Sequence, residues 1–321
     1  MKKIVFIAIC TWLLFANFVV ADEMIFKINS KKSDNLLMQI YDHFSDKNLE
    51  KKLTNFYNEL IKVHKYGNFS EFENFVRHNK ELLNTSVNFK FDDNTSLKLR
   101  PIETILMSEY NENSLIVVEI MLKNGADINT YYQDDPKNIT TFFAMVASNR
   151  LPNEAKIKFA ELFVKYGADL NLAQGVKNAN LLDEAVFIRS LGLYEFFLKN
   201  KIETKDRLWY STRWLNQSYN LYEYITLSKK QDKFSNEIIN SQRFKEKKES
   251  FVKLLKIFLK YNDLSDQQDT LPQLLKEAVF ANNIDAIKLF LQTPYQKEIK
   301  KMALEYAKSF GRDEIVNLVV D

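Results

Sequence analysis

Apolar residues recur along this chain at three- and four-residue spacing, in short runs broken by polar turns. Leu53, Phe56, Tyr57, Leu60, Ile61 and His64 share one helical stripe, and Gly67-Asn68 breaks it. Phe72, Phe75 and Val76 open a second stripe that ends near Leu82-Leu83-Asn84. Upstream, Leu36, Leu37, Ile40, Tyr41 and Phe44 keep the same spacing, which predicts a capping helix. The stretch 86–99 is different: it alternates apolar and polar positions around Asp92-Asp93-Asn94. Period two predicts a β-hairpin there. Pro101 then opens a helix at the one place where a missing N–H costs nothing. The pattern as a whole predicts short helices in pairs.

Two of the helical runs end alike. Val118-Glu119-Ile120-Met121-Leu122-Lys123 leads into Asn124-Gly125-Ala126-Asp127-Ile128-Asn129. Leu162-Phe163-Val164-Lys165 leads into Tyr166-Gly167-Ala168-Asp169-Leu170-Asn171. A glycine closing a helix takes the left-handed conformation that other residues resist. The Asp and Asn that follow favour a turn, because their short side chains bond nearby backbone. Each copy therefore reads as helix, stop, turn, and a repeated unit of this kind points to a repeat architecture.

The Gly-Ala-Asp-x-Asn stop resembles the end of an ankyrin repeat. The family's opening motif, Thr-Pro-Leu-His, is worn here to Arg100-Pro101-Ile102-Glu103 and Thr140-Thr141-Phe142-Phe143. The resemblance implies an all-α, ankyrin-like helical-repeat solenoid with short β-hairpin fingers, used for binding. One unit runs from Pro101 to Asn129, with helices expected at 102–110 and 114–123. The next runs from Thr140 to Asn171. The matching glycines, Gly125 and Gly167, stand 42 residues apart, against a usual period of about 33. The excess falls in the finger Tyr131-Tyr132-Gln133-Asp134-Asp135-Pro136 and in the loop around 149–154.

Further on, Leu181, Leu182, Ala185 and Val186 pair with Leu193, Phe196, Phe197 and Leu198, and the stop reads Asn200-Lys201 in place of Gly-Ala. The aromatic stretch 208–219 lies where a finger is expected. A first helix is expected at 221–227, followed by a polar insertion at 228–249. Its partner returns as Phe251, Leu254, Leu255, Phe258 and Leu259. Two last units follow, Leu271-Pro272 to Leu291 and Met302 to Leu318. This divides the chain into a signal peptide (1–21), an N-terminal helical cap with a degenerate repeat (22–100) and ankyrin-like repeats (101–321).

Composition adjusts this picture at the N-terminus. Lys2-Lys3, an apolar run from Ile4 to Phe18 and Val19-Val20-Ala21 have the make-up of a cleaved signal peptide. The apolar run is shorter than the roughly 20 residues a membrane span needs. Cleavage would remove Cys10, the one cysteine, and bring the formal charge from +3 to +1 by the loss of two lysines. The mature chain would then rely on packing alone, without disulfides. With 45 Lys and Arg against 42 Asp and Glu, there is no basic field for nucleic acid. No later stretch is apolar enough to span a membrane, so no stable span is expected after cleavage. The expected location is the periplasm, with secretion as the alternative.

The residues suggest no enzyme. His43, His64 and His78 fall in no metal-ligand spacing, and His64 lies on an apolar face. The six glycines never cluster into a phosphate loop, and no nucleophile elbow is present. Metal, cofactor and catalytic residues are therefore all expected to be none. Two stretches suit protein binding. The first holds Trp209, Tyr210, Arg213, Trp214 and Tyr219, residue types that dominate interface hot spots. The second is the finger with Tyr131, Tyr132, Asp134 and Asp135. The expected function is a non-enzymatic, protein-binding ankyrin-repeat protein of the bacterial envelope, such as an immunity or inhibitor protein that neutralises a toxic enzyme. The alternative is an envelope scaffold, or a secreted effector that binds a host protein.

Overall fold

The computed structural model describes residues 47–90, 96–130, 140–148, 151–172, 179–215 and 242–320. These are mostly helical, and the chain divides into two compact units between Leu181 and Leu182. The expected signal peptide and capping helix lie outside the described residues.

In the first unit the helices come in pairs: α1 (Lys47–Tyr66) with α2 (Phe69–His78), α3 (Pro101–Met107) with α4 (Glu112–Lys123), and α5 (Thr141–Ala147) with α6 (Asn153–Lys165). First helices α1, α3 and α5 pack in one row, and second helices α2, α4 and α6 in another. Between the first two pairs stands the hairpin read from the alternation, β1 (Val87–Lys90) and β2 (Ser96–Leu99), antiparallel with Val87 opposite Leu99. The Tyr57 hydroxyl of α1 donates to the Leu99 carbonyl at 3.0 Å, tying the hairpin to the first pair. Leu53, Phe56, Phe142, Phe159 and Phe163 are fully buried, and Phe142 meets Phe163 edge-on at 5.2 Å. Burying each such ring contributes about 2–3 kcal/mol.

Three polar devices join one pair to the next. Asn84 donates from Nδ2 to the Gly125 carbonyl (3.0 Å) and accepts the Asp127 N–H at Oδ1 (2.8 Å). Asn129 treats Gly167 and Asp169 in the same way at the same two distances. The Asn that ends one stop thus clamps the backbone of the next, and Asn84 shows that 47–85 uses the same device. On the second helices, Lys123 reaches Glu73 (2.9 Å), while Lys165 and Tyr166 both donate to Glu119 Oε1. Among the first helices, buried Arg100 and Glu103 pair at 2.6 Å, and Thr141 of α5 donates to the same carboxylate oxygen at 2.8 Å.

The second unit repeats the plan: α7 (Leu181–Phe187) with α8 (Leu191–Lys199), α9 (Arg207–Leu215) with α10 (Gln242–Tyr261), α11 (Leu271–Phe280) with α12 (Ile284–Phe290), and α13 (Gln296–Phe310) with α14 (Asp313–Val320). Here α9, α11 and α13 pack successively, as do α8, α10, α12 and α14. Lys260 and Tyr261 donate to Glu195 Oε1, repeating the Lys-Tyr-Glu device of the first unit. Helix α13 buries Ile299, Ala303 and Ala307 and exposes Lys297, Lys301, Glu305 and Lys308.

Two expectations are corrected. The helix expected at 102–110 ends at Met107, because Ser108 is extended. As far as Leu215, the stretch expected as a finger is α9, a first helix: Leu208, Ser211 and Thr212 are fully buried at three- and four-residue spacing. Ser and Thr hide a helical stripe that leucines would advertise. Among the described residues α9 packs against α10, and the helix expected at 221–227 lies outside the described residues.

Candidate functional site

Helix α9 carries the first part of the aromatic stretch, and its N-terminus is held from several sides. Asp206 adopts φ 58°, its N–H donates to the Asp266 carbonyl at 3.0 Å, and its carboxylate accepts the Thr270 hydroxyl at 3.3 Å. Gln267, fully buried, accepts the Leu208 N–H at 3.1 Å and donates to the Thr204 carbonyl at 2.6 Å. Its amide thus serves backbone groups that the first turn of a helix leaves open. From the core side, Asp183 of α7 receives Arg207 Nη1 at Oδ2 (2.9 Å) and the Ser211 hydroxyl at Oδ1 (3.1 Å).

Close to this carboxylate lies the Tyr194 hydroxyl, fully buried and without a well-formed hydrogen bond among the described residues. Burial pushes its pKa well above the usual tyrosine value, and the Asp183 charge acts the same way, against a smaller opposing effect of the Ser211 hydroxyl. The tyrosine stays neutral. The cluster fastens α9 to α7, as Glu103 and Thr141 fasten α3 to α5.

On the outer side of α9 stands Tyr210, 43% exposed. Its ring meets half-buried Trp209 edge-on at 5.0 Å, and the Arg207 guanidinium sits 5.8 Å from its centroid. The Thr212 hydroxyl donates to the Trp209 carbonyl at 2.7 Å. The result is a fixed aromatic surface, with one face of Tyr210 against a guanidinium whose charge Asp183 already balances. Rings with two side-chain torsions on a secured helix bind at low entropic cost.

The other expected binding residues are placed less fully. Arg213 and Trp214 belong to α9, with side chains outside the description. Tyr219, Tyr131, Tyr132, Asp134 and Asp135 lie outside the described residues. Arg207, which contacts Tyr210, was missed by sequence reasoning. Its place four residues before Ser211 and three before Tyr210 on a helix was the available signal.

One pair has the reach of catalytic chemistry: His64 Nε2 lies 2.8 Å from the Ser114 hydroxyl. Ser114 is only 1% exposed and its Oγ already accepts the Asn111 N–H at 3.0 Å. Its work is to close the start of α4, where Asn111 Oδ1 accepts from the Asn113 and Ser114 amides. Among the described residues, no three His, Cys, Asp or Glu side chains converge as a metal site would require. No helix among them is long and apolar enough to cross a membrane. No protein-family model matches the chain, and no curated protein matches it either.

Proposed function

We propose that this chain is an ankyrin-like repeat protein whose α9 surface binds another protein. The fold side of this reading rests on the repeated stop, in which Asn84 and Asn129 clamp the Gly and Asp that follow the next helix pair. Nearest-neighbour stacking of helix pairs is how such repeats build a core and leave a long surface for partners. The binding side rests on one observation: Tyr210 stands 43% exposed on a helix clamped from three directions, backed by Trp209 and Arg207. Aromatics held in this way act as anchors for a partner surface.

In this reading the chain is exported by its N-terminal segment and works in the periplasm, without catalysis and without a cofactor. The partner suggested by the ankyrin resemblance is a toxic enzyme of the envelope that the chain neutralises, as an immunity or inhibitor protein does. The test is a photo-crosslinking residue at position 210 of the full chain, expressed in its own host, with position 66 as control. Tyr66 is 72% exposed on α1 and outside the proposed surface. The expected result is one light-dependent adduct at 210 and none at 66. No adduct at 210, or the same adducts at both, would overturn the assignment of α9.

A further inference from the structure

The first two helix pairs of the first unit are joined through a histidine. His64 lies near the end of α1, half-buried, with Nε2 2.8 Å from Ser114 Oγ on α4. Its carbonyl accepts the Asn111 amide at 3.1 Å and the Asn113 amide at 2.9 Å. All three partners belong to the start of α4. The residue therefore anchors the second pair through both its ring and its backbone.

The hydrogen bonds around Ser114 suit the neutral ring. Ser114 Oγ accepts the Asn111 N–H at 3.0 Å, so its own proton is free to point at His64 Nε2. The alternative acceptor for that proton, Asn111 Oδ1, is 3.4 Å away and already takes two backbone N–H groups. With the serine proton on that line the ring accepts at Nε2, an arrangement open to neutral imidazole and closed to the imidazolium. Protonation would place an N–H against a hydroxyl that already accepts one, and would turn the serine proton to the long contact.

No charge nearby favours the imidazolium. On its own helix the neighbours Lys62 and Lys65 are cations. Among the acids on elements packed against α1, Glu103 of α3 is taken by Arg100, and Glu73 of α2 by Arg77 and Lys123. Glu71 of α2, Glu109 before α4, and Glu112 and Glu119 of α4 make no ion pair with the ring, nor do Arg77, His78 or Lys123. Burial alone shifts the ring, and it lowers the pKa from 6.5. The sign follows: the folded chain binds this proton more weakly than the unfolded one, so the joint is strongest above pH 6.5 and weakens as pH falls through the lower folded value.

We propose that His64 is a proton-sensitive latch: protonation of its ring loosens the first helix pair, α1 and α2, from α4. Among the described residues it is the one histidine whose ring bridges two helix pairs; His78 bonds within α2, to the Asn74 carbonyl.

The test is hydrogen exchange of the full chain at pH 7.5 and pH 5.0, corrected for intrinsic exchange rate, in wild type and in His64→Gln. Glutamine supplies a neutral acceptor that does not titrate. In wild type, protection across α1 and α2 should fall on acidification, by up to tenfold for each pH unit that burial holds the ring down. The pair α5 and α6 should not respond. In His64→Gln the acid response of α1 and α2 should vanish. An equal response in both chains, or a response spread evenly over the unit, overturns the latch. If His64→Gln does not fold, the ring's own titration followed by NMR in wild type decides. A midpoint at or above 6.5 overturns the proposal, and a lower one supports it.

Discussion

The stop after α8 offers a direct measure of what the repeated glycine contributes. At the end of α4 the N–H of Gly125 bonds to the Leu122 carbonyl and that of Ala126 to Met121. After α6, Gly167 and Ala168 bond to Val164 and Phe163. After α8, Lys201 and Ile202 bond to Leu198 and Phe197 in the same pattern. Lys201, not Asn200 as the sequence pattern suggested, thus occupies the glycine position, with φ 60° where the glycines show 106° and 84°. A side chain in left-handed backbone costs about 1–2 kcal/mol. Glycine removes that strain and gives back roughly 0.5–1 kcal/mol through the greater freedom of the unfolded chain. Lys201→Gly should therefore stabilise the chain by about 0.5–1 kcal/mol, or about 2 °C in Tm for a chain of this size. The lysine is exposed and in no ion pair among the described residues, so no lost contact complicates the sum. The reciprocal changes, Gly125→Ala and Gly167→Ala, meet no atom within 4 Å of the new Cβ. Any loss there must come from the backbone alone, and should be about 1 kcal/mol or more. Urea midpoints at constant m-value provide the assay. The reasoning fails if Lys201→Gly destabilises, or if both alanine variants match wild type.

The interlocks supply three more predictions. Asn129→Ala removes two hydrogen bonds to the next helix pair, which should cost about 1–2 kcal/mol by urea denaturation. Glu103→Ala leaves Arg100 buried without its carboxylate, which should cost roughly 3–5 kcal/mol and show as a much lower thermal midpoint by circular dichroism. Glu73, Glu119 and Glu195 are all held below the usual carboxylate value of 4.5, first of all by hydrogen bonds from Lys123, Lys165 and Lys260. Folded values below unfolded ones mean that this stabilisation is present above about pH 4.5 and lost as pH falls through the lower folded values. Urea midpoints from pH 6 to pH 3 should show that loss, shallower in Glu119→Gln and at high salt.

Legibility in the sequence followed the chemistry of each element. The hairpin at Val87–Lys90 and Ser96–Leu99 and the stops at Gly125 and Gly167 were readable, because alternation and glycine reflect local backbone geometry. The stop after α10, Tyr261-Asn262-Asp263-Leu264-Ser265, was not. It has no glycine and is one residue shorter, although Asp263 Oδ1 accepts the Ser265 N–H at 2.6 Å as Asp169 Oδ1 accepts that of Asn171 at 2.8 Å. Helix α9 was misread because its buried positions include Ser211, whose hydroxyl is met by Asp183, 28 residues earlier, and Thr212, whose hydroxyl turns back to the Trp209 carbonyl. A polar residue buried by a distant partner leaves no periodic trace. The aromatic content of the candidate site was visible, but the exposure of Tyr210 and the half-burial of Trp209 depend on which face α9 turns inward, and those same serine and threonine positions decide it.

The residues that hold pairs together and the residues available to a partner are largely different sets. Asn84, Asn129, Glu103, Asp183 and Gln267 all bond to backbone or side chains of a neighbouring pair, and each change there removes a bond the fold uses. Tyr210 touches Trp209 and Arg207 of its own helix. Arg207 spans both sets, since Asp183 holds it while its guanidinium covers the Tyr210 ring. Tyr210→Ala should therefore leave the stability read from urea denaturation within about 0.5 kcal/mol of wild type, the usual range for an exposed substitution. Arg207→Ala removes the ion pair to buried Asp183 and should lower the stability read from urea denaturation by about 3 kcal/mol. A protein that kept its partner after Tyr210→Ala and lost it only when Arg207→Ala unfolded the helix would have its binding surface elsewhere. Loss of the partner in the fully stable Tyr210→Ala chain would place recognition on α9, apart from any contribution to folding.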